Sequence, residues 1–400
     1  MKAERTRVVI VGGGPAGMLL SRLLHRDGIE HVVLESRSRK EIENTHRAGI
    51  LEAGAVDALV DAGIDRVLRD GDEHEGIVLR FDGEDHRIDL VGLTGRSVWL
   101  YPQTDVFIDL ADRAASDGVD VRWQATVTSV LDRDGRNPGV RWTDADGVER
   151  ELRADLLIGA DGSRSVLRHT LPEHERRTYA HAYPYAWFGI IVEAPRSAPE
   201  LVYAASDRGF ALISQRTPTR QRLYFQCDPD EDPDAWDDTR IWEELQARVA
   251  GPDGFTLAEG PIVERTVLRF RSSVVEPVRH GRSLLVGDAA HTVPPTGAKG
   301  LNLAISDVVV LHGVLTDWLR TGDDATLAEY GRRVSERVWR AQHFSSWMSR
   351  MLHSTADESP FEARRRVAEL RTLCASKAGR RHLAEGYTGW GPITSLKGDR

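Results

Sequence analysis

Cysteine is almost absent from this chain. Cys227 and Cys374 are the only two among 400 residues, and their separation matches no metal-binding or redox spacing. A disulfide-stapled scaffold is therefore excluded, and the sequence predicts a reduced, cytoplasmic protein that holds no metal.

Long apolar runs and a basic surplus are also missing. The first apolar run, in MKAERTRVVIVGGG, reaches only four residues before glycines begin, and the longest, DVVVLHGVLTDWL, is interrupted by polar residues and glycine. Both are too short for a signal peptide core or a membrane span, so we expect no membrane partner. Lys and Arg number 53 against 62 Asp and Glu, a net charge of −9, and a nucleic-acid partner is not expected either.

What is present begins with a dinucleotide fingerprint. RVVIV predicts a strand, the following GGGPAGMLLSRLLHRDG a helix, and HVVLES a second strand, which together make a βαβ unit. Gly12, Gly14 and Gly17 supply the G-x-G-x-x-G spacing, and Glu35 ends the second strand. Such glycines let a pyrophosphate approach a helix N-terminus, and the acidic residue binds ribose hydroxyls. An adenine dinucleotide is the predicted ligand.

Two further segments fit the same ligand. ADLLIGADGSRS predicts a strand followed by Asp161. GRSLLVGDAAHTVPPTGAKG predicts a strand, Asp288, a loop rich in proline and glycine, and a helix that begins near Gly300. Only one complete fingerprint occurs, whereas flavin reductases with separate FAD and nicotinamide domains need two. The chain is therefore expected to keep FAD and to meet a nicotinamide coenzyme transiently or not at all.

The predicted fold is α/β with two domains, as a length of 400 residues suggests. A discontinuous, Rossmann-like FAD-binding domain is predicted over 1–75, 99–180 and 274–345. Alternating polar and apolar residues predict a second, mostly antiparallel β-sheet domain for substrate over 76–98 and 181–273. Residues 346–400 are predicted to form a helical C-terminal segment whose Gly-rich tail carries Tyr387.

An unusual set of polar side chains lies in a predicted hairpin, ALISQRTPTRQRLYF at 211–225. Side chains alternate between the faces of a strand, so Ser214 and Arg216 share one face, as do Arg222 and Tyr224 on the second strand. Arginine offers a bidentate fork and the hydroxyls add hydrogen bonds, a set that suits a small carboxylate.

These motifs together resemble the FAD-dependent aromatic hydroxylases. GGGPAG, LLIGADG and GDAAHTVPPTGAKGLNLAISD carry the superfamily, and HRAGILEAGAVD, GDEHEG, YPQTDV, YPYAWFG, RGFALISQR and AEGYTG extend the match over nearly the whole chain. The hairpin and the tail point to members that act on 4-hydroxybenzoate. The resemblance implies hydroxylation at the 3-position to 3,4-dihydroxybenzoate with O2 and NAD(P)H, through a flavin C4a-hydroperoxide, in a homodimer.

The resemblance also implies roles for the hairpin residues. Ser214, Arg216 and Tyr224 would bind the benzoate carboxylate. Arg222 resembles the arginine that lies near the flavin in this family and influences its position.

Catalytic roles follow from the same resemblance. Tyr203 would hydrogen-bond the substrate phenol, and Tyr387 and His74 would complete a proton relay toward solvent. A histidine titrates near physiological pH, which suits the outer end of such a relay. The backbone carbonyl of Pro295 would accept a hydrogen bond from the substrate hydroxyl.

Further residues are implied for the two nucleotides. Those for FAD, besides the fingerprint, are Arg47, Gln103, Asp161, Asp288, Lys299, Gly300, Leu301 and Asn302. Those for the nicotinamide nucleotide are Arg37, Arg164, Arg168 and Arg271. The segment SRSRKEIEN at 36–44 is first basic and then acidic, and it differs from the NADPH-selecting residues of the family. NADPH is the expected coenzyme, with NADH also accepted, and Trp187 is expected to serve packing.

Two alternatives stay open at this point. Another hydroxylase of the same family would act on a related aromatic acid such as 4-aminobenzoate or a dihydroxybenzoate, with different contacts at the para position. A non-catalytic flavoprotein would bind an aromatic acid as a sensor or carrier, and it would need no proton relay. Tyr203, Pro295 and Tyr387 favour a para-hydroxyl and turnover. A flavin halogenase is disfavoured because no W-x-W-x-I-P segment occurs.

Overall fold

The computed structural model describes residues 4–45 and 49–391. The strands are β1 Glu4–Arg5, β2 Val8–Val11, β3 His31–Glu35, β4 Ile50–Glu52, β5 Asp72–His74, β6 Gly76–Phe81, β7 Glu84–Asp89, β8 Val98–Leu100, β9 Val121–Trp123, β10 Thr126–Leu131, β11 Gly139–Thr143, β12 Glu149–Arg153, β13 Leu156–Gly159, β14 Arg177–Val192, β15 Leu201–Ser206, β16 Gly209–Thr217, β17 Arg220–Cys227, β18 Ile262–Glu276, β19 Arg279–His280, β20 Ser283–Leu285 and β21 His291–Thr292. The helices are α1 Pro15–Arg26, α2 Arg39–Glu43, α3 Ala53–Asp61, α4 Val67–Asp70, α5 Leu90–Thr94, α6 Gln103–Ser116, α7 Val166–Thr170, α8 Asp238–Val249, α9 Gly300–Thr321, α10 Asp324–Leu352, α11 Pro360–Ala375 and α12 Lys377–Thr388. Short 3₁₀ turns lie at Gly162–Arg164, Pro233–Ala235, Gly287–Ala289 and Pro295–Gly297.

A six-stranded, mainly parallel sheet forms the first layer, in the order β19-β20-β13-β2-β3-β9. Every residue of its central strands β2, β3 and β13 is buried, and these short strands are apolar except for His31 and Glu35 at the ends of β3 and the final Gly159 of β13. Continuous apolar runs of this kind are typical of parallel strands that are covered on both faces. The loops after β2, β13 and β20 leave at the carboxyl edge of the sheet, where open α/β sheets bind their ligands.

An eight-stranded sheet forms the second layer, in the order β21-β18-β14-β17-β16-β15-β6-β7. All its neighbouring strands pair antiparallel except β15 and β6, so the predicted second sheet is mostly antiparallel. One face packs with residues of α10, α11 and α12 in an aromatic-rich core, and the opposite face packs with α8. Two smaller sheets, β1-β12-β11-β10 and β4-β8-β5, complete the fold.

Two local expectations can be compared with the structure. The hairpin at 211–225 is confirmed, since β16 and β17 pair antiparallel, with a bulge between Gln215 and Thr217. Tyr387 lies in α12, inside the segment predicted to be helical, and the Gly-rich stretch around it is helical as far as Thr388. Helix formation there follows from the cap: Ser376 accepts a hydrogen bond from the backbone N–H of Gly379.

The helix α9 is long and apolar enough to cross a membrane by length and composition alone, and within the described ranges no second helix meets that test. In the structure, 61% of its most apolar window is buried inside the protein. This burial fits a helix of the core.

Candidate active site

The dinucleotide fingerprint forms a tight turn at the carboxyl edge of the six-stranded sheet. Gly12 has φ +105°, and a Cβ atom there would lie 2.3 Å from the carbonyl oxygen of Ala160, so only glycine fits. The N–H of Gly13 donates to Oε2 of Glu35 over 2.7 Å. The turn therefore brings together three predicted residues at the start of α1, Gly12, Gly17 and Glu35.

The space around this turn fits a bound dinucleotide. Gly14 caps α1 with ordinary dihedral angles, and apart from its chain neighbours and its own helix no atom of the described residues lies within 4 Å of where its Cβ would be. This open position at a helix N-terminus is suited to a pyrophosphate. On the adjacent loop, Oδ2 of Asp161 accepts from the N–H of Val166 over 2.7 Å, while Oδ1 is buried without a partner in the part of the chain that the structure describes. Burial raises the pKa of the Asp161 carboxyl. The residues present therefore fit FAD.

Asp288 lies half-buried in the turn that follows β20. This turn is held by Asp307 of α9, whose Oδ2 accepts from the N–H of Gly287 over 2.9 Å and from Nε2 of His291 over 2.7 Å. Burial lowers the pKa of His291, but the charge and hydrogen bond of Asp307 outweigh it, so the pKa lies above its ordinary value. Sequence reasoning missed this pair. A carboxylate inside the apolar run of α9 was the available signal.

The predicted cofactor residues Lys299 to Asn302 form the start of α9. Its first N–H groups have no partner inside a helix, and the helix dipole favours negative charge there. Lys299 is fully buried, and its Nζ donates to Oε1 of Glu52 over 2.6 Å and to the carbonyl of Tyr387 over 3.1 Å. Burial lowers the pKa of Lys299, against the opposing effect of Glu52. The positive field expected from Lys299 is therefore offset by Glu52, which sequence reasoning did not identify.

Asn302 uses its side chain within the protein. Its Oδ1 accepts from the N–H of Glu52 over 2.9 Å, and its Nδ2 donates to the carbonyls of Ile50 and Ala298 over 2.8 Å each. Only its backbone N–H, together with those of Gly300 and Leu301, is left for an anionic group at the helix start.

The hairpin β16–β17 brings its predicted side chains to one face. Ser214 lies directly opposite Arg222 in the ladder, and Leu212 lies opposite Tyr224. Burial, and next the charge of Arg222, lower the pKa of Arg216, while the charges of Asp105 and Glu264 oppose this effect. Arg222 lies 5.2 Å from the centre of the Tyr224 ring, and burial raises the pKa of that phenol.

This face lacks a partner for one buried cationic donor. Arg222 is 8% exposed, and its Nη1 is buried without a hydrogen-bond partner among the described residues. A buried donor left unpaired costs about 1–3 kcal/mol, and more when it is charged. Two adjacent guanidiniums, a phenol and the hydroxyl of Ser214 therefore present a site for a small anion.

Tyr203 and Tyr387 form a hydrogen-bonded pair, with their hydroxyl oxygens 2.6 Å apart. Both side chains are buried. Burial raises the pKa of both phenols, and the neighbouring Tyr203 adds to the rise for Tyr387. At neutral pH both hydroxyls are protonated, so each can donate one hydrogen bond while accepting another. The two predicted relay tyrosines are thus in contact.

His74 lies at the end of β5 and is 2% exposed. Its Nε2 donates to Oδ2 of Asp72 over 3.2 Å, and Arg196 contacts the same oxygen at 2.7 Å. Its Nδ1 is buried without a partner among the described residues. The side chain of Asp72 is 31% exposed, so it lies between the histidine and solvent. Sequence reasoning missed Asp72 and Arg196.

The loop after β21 holds the predicted carbonyl of Pro295. That carbonyl accepts from the N–H of Ala298 over 2.9 Å, which leaves its second lone pair for another donor. The neighbouring Thr296 is buried and shares a 2.7 Å hydrogen bond with the hydroxyl of Ser349 on α10. A hydrogen bond to α10 therefore holds the loop in place.

The predicted nicotinamide-nucleotide residues differ in their surroundings. Arg164 and Arg271 are exposed, and Arg168 donates to the carbonyls of Ser163 and Ala289. Burial, with a contribution from Arg271, lowers the pKa of Arg168. Arg37 lies apart from these and contacts Oε1 of Glu35 at 3.3 Å.

Two remaining predicted residues concern the FAD path. Gln103 is the first residue of α6 and is half-buried. Arg47 lies outside the described residues.

Comparisons with known proteins agree with this geometry. Residues 5–345 match the family model of the FAD binding domain. The p-hydroxybenzoate hydroxylase of Acinetobacter baylyi is 39% identical over 391 residues, which span 97% of this chain and 96% of that protein. The 6-methylpretetramide 4-monooxygenase of Streptomyces rimosus is 29% identical and spans 88% of this chain and 85% of that protein.

Among solved structures, p-nitrophenol 4-monooxygenase from Pseudomonas putida has a TM-score of 0.82 at 20% identity, covering 96% of this chain and 99% of that chain. That likeness is one of fold. The family match and the 39% identity confirm the resemblance that the motifs indicated. Together with a dinucleotide edge that fits FAD, they show that the chain is an FAD-dependent monooxygenase of the aromatic hydroxylase family.

Proposed function

We propose that the protein is a 4-hydroxybenzoate 3-monooxygenase, which forms 3,4-dihydroxybenzoate from 4-hydroxybenzoate, O2 and NAD(P)H. The observation that carries the proposal is on the hairpin, where the buried Nη1 of Arg222 has no hydrogen-bond partner within residues 4–45 and 49–391. A relative that is 39% identical over nearly its full length is named for the same substrate.

The carboxylate end of the substrate would bind at this hairpin. Arg216 and Arg222 supply two guanidiniums, and Tyr224 and Ser214 supply hydroxyls on the same face. A bound carboxylate satisfies the unpaired donor and offsets the repulsion between the two like charges. Binding here orients the ring without direct participation in the chemistry.

The phenol end would meet Tyr203. A free phenol has a pKa of about 10, so most of it is protonated at neutral pH, while its phenolate is the better nucleophile. Tyr203 would accept the substrate proton as it passes its own proton to Tyr387 over their 2.6 Å hydrogen bond. The described residues show no direct hydrogen bond between Tyr387 and His74, so His74 and Asp72 would form a separate outer end of the relay, with Asp72 as the exposed member of that pair. The carbonyl of Pro295 would hold the substrate hydroxyl by its second lone pair.

FAD, once reduced by NAD(P)H, supplies the activated oxygen that is added to the ring carbon beside the phenolic carbon. The chain contributes the open position at Gly14, Glu35, Asp161, Asp288 and the start of α9 to hold it. We propose NADPH as the preferred coenzyme with NADH also accepted, Arg164, Arg168 and Arg271 as its contacts, and a cytoplasmic homodimer as the working form.

One second candidate is favoured by a specific observation. The hairpin side chains would contact only the carboxylate of the substrate, so a related acid such as 4-aminobenzoate would bind them equally well. The tyrosine pair distinguishes the candidates, because a relay that removes a phenolic proton is of use only for a para-hydroxyl.

The test is oxidation of NADPH and NADH by the FAD-loaded protein with and without 4-hydroxybenzoate, with identification of the aromatic product. We expect strong stimulation and formation of 3,4-dihydroxybenzoate. Stimulation with only hydrogen peroxide formed would show an effector that is not the substrate. An absence of stimulation with either coenzyme would favour a non-catalytic aromatic-acid carrier.

A further inference from the structure

His353 is a buried, neutral imidazole at the C-terminal end of α10. It is 2% exposed. Its Nδ1 lies 2.8 Å from the carbonyl of Ser349, which can only accept, so Nδ1 carries the hydrogen. Its Nε2 is then a lone-pair acceptor, and it receives the indole N–H of Trp187 over 2.7 Å. Burial lowers the pKa of His353 to about 3, in agreement with a neutral ring.

The indole held by His353 belongs to the wall behind the anion site. The Trp187 ring lies 4.9 Å from the Tyr224 ring and stacks on Phe210 at 5.2 Å. Trp187 of β14 also lies directly opposite Gln226 of β17 in the ladder between these strands. Rotation of the indole would therefore shift Tyr224, whose hydroxyl belongs to the proposed carboxylate set.

The same turn of α10 also reaches the opposite end of the site. The hydroxyl of Ser349 shares its 2.7 Å hydrogen bond with Thr296, the residue after Pro295, and both side chains are buried. One helix end thus contacts Trp187 through His353 and the Pro295 loop through Ser349. An apolar helix end would fill this volume as well, but it would leave the indole N–H and the threonine hydroxyl unpaired.

We propose that His353 and Ser349 are positioning residues of the active site, the first for the carboxylate end of the substrate and the second for the loop at the hydroxyl end. This inference rests on the proposed function. It also assigns a role to Trp187, which was expected to serve packing alone. The hydrogen bond from its indole N–H to His353 sets the orientation of the indole ring.

The experiment compares His353→Phe, His353→Gln and Ser349→Ala with the wild-type holoenzyme. The dissociation constant of 4-hydroxybenzoate is measured from the flavin absorbance, and the fraction of oxidised NAD(P)H recovered as aromatic product is measured in the same preparations. His353→Phe keeps a ring but loses the acceptor, and we expect the dissociation constant to rise about tenfold. Gln offers a side-chain oxygen to the indole and should restore most of the affinity. Ser349→Ala should lower the product fraction while affinity changes much less.

Trp187→Phe completes a double-mutant cycle with His353→Phe. It removes the donor, so adding His353→Phe to it should change the dissociation constant little further. Equal losses of affinity and product fraction in every variant, or losses of thermal stability alone, would overturn the inference while leaving the proposed function intact. A wild-type enzyme that binds no 4-hydroxybenzoate would overturn the proposed function first, and the inference with it.

Discussion

Two guanidiniums on one strand face repel each other, and the hairpin holds Arg216 and Arg222 in this way, with Asp105 and Glu264 opposing the effect at Arg216. Burial and mutual repulsion both lower the pKa of Arg216. A guanidinium nevertheless stays charged, so we expect the proposed binding of a carboxylate here to persist at any working pH.

Arg216→Ala should raise the KM for 4-hydroxybenzoate about 10- to 100-fold, because a charged hydrogen bond contributes roughly 1.5–3 kcal/mol. Steady-state kinetics at varied substrate measure it. The matched control is Arg220→Ala on the same hairpin, where the guanidinium pairs with Glu193 at the surface. An unchanged KM for Arg216→Ala would show that the substrate carboxylate does not bind at this face of the hairpin.

Tyr203→Phe should leave NAD(P)H oxidation running and divert it to hydrogen peroxide. The variant loses the hydroxyl that contacts Tyr387, so the substrate proton has no acceptor inside the buried site. Peroxide and aromatic product are quantified against coenzyme consumed. Tyr330→Phe removes another buried hydroxyl, bonded to the carbonyl of Leu285, and should keep the wild-type product yield. Full product yield from Tyr203→Phe would exclude Tyr203 from proton removal.

At the level of elements, α2 bears on the choice between NADPH and NADH. Arg39 pairs with Glu43 at 2.6 Å and also contacts Asp112, while Arg37 contacts Glu35. The guanidiniums that could meet a 2′-phosphate are therefore engaged with carboxylates, which weakens the preference for NADPH expected from the sequence.

Glu43→Gln should raise the ratio of kcat/KM for NADPH over NADH several-fold, because Arg39 loses one of its partners. Initial rates with each coenzyme at saturating 4-hydroxybenzoate give the ratio. Glu41→Gln removes the same charge from the same helix without contact to Arg39, since Glu41 bonds to Ser38. If both variants shift the ratio equally, the effect is one of net charge. If neither does, α2 does not select the coenzyme.

At the scale of the whole molecule, the ion pair of His291 and Asp307 links β21, the Gly287 turn and α9. The folded-state pKa of His291 lies above its unfolded value of about 6.5. A raised pKa contributes stability that is complete below the unfolded pKa and is lost as pH rises through the folded pKa.

His291→Asn should therefore lower the free energy of unfolding more at about pH 6 than at about pH 9. Urea unfolding of the FAD-loaded protein at both pH values measures the difference. His174→Asn, at a side chain that is 81% exposed, is the control and should give no pH-dependent loss. A loss for His291→Asn that grows toward alkaline pH would contradict the assigned direction.

Much of this protein was predictable from local sequence. The βαβ unit, the start of α9 at Gly300 and the hairpin at 211–225 depend on apolar runs, glycine spacing and alternation, which act over a few residues. The motifs were long enough to identify the family. Local patterning predicted a helical segment that carries Tyr387, but it did not locate the end of the helix, because capping and burial keep the glycines around Tyr387 helical as far as Thr388.

Contacts between distant segments were decided by the tertiary structure alone. Glu52 meets Lys299, Asp72 meets Arg196 and His353 meets Trp187 across 247, 124 and 166 residues of chain. No local pattern marks such pairs, because a buried charge or imidazole is stable only where the fold brings it a partner. Local patterns therefore predict the cofactor class and the residue types of the site. The packing of distant segments determines which of these residues form ion pairs, which orient a neighbouring side chain and which are left with an unpaired donor or acceptor.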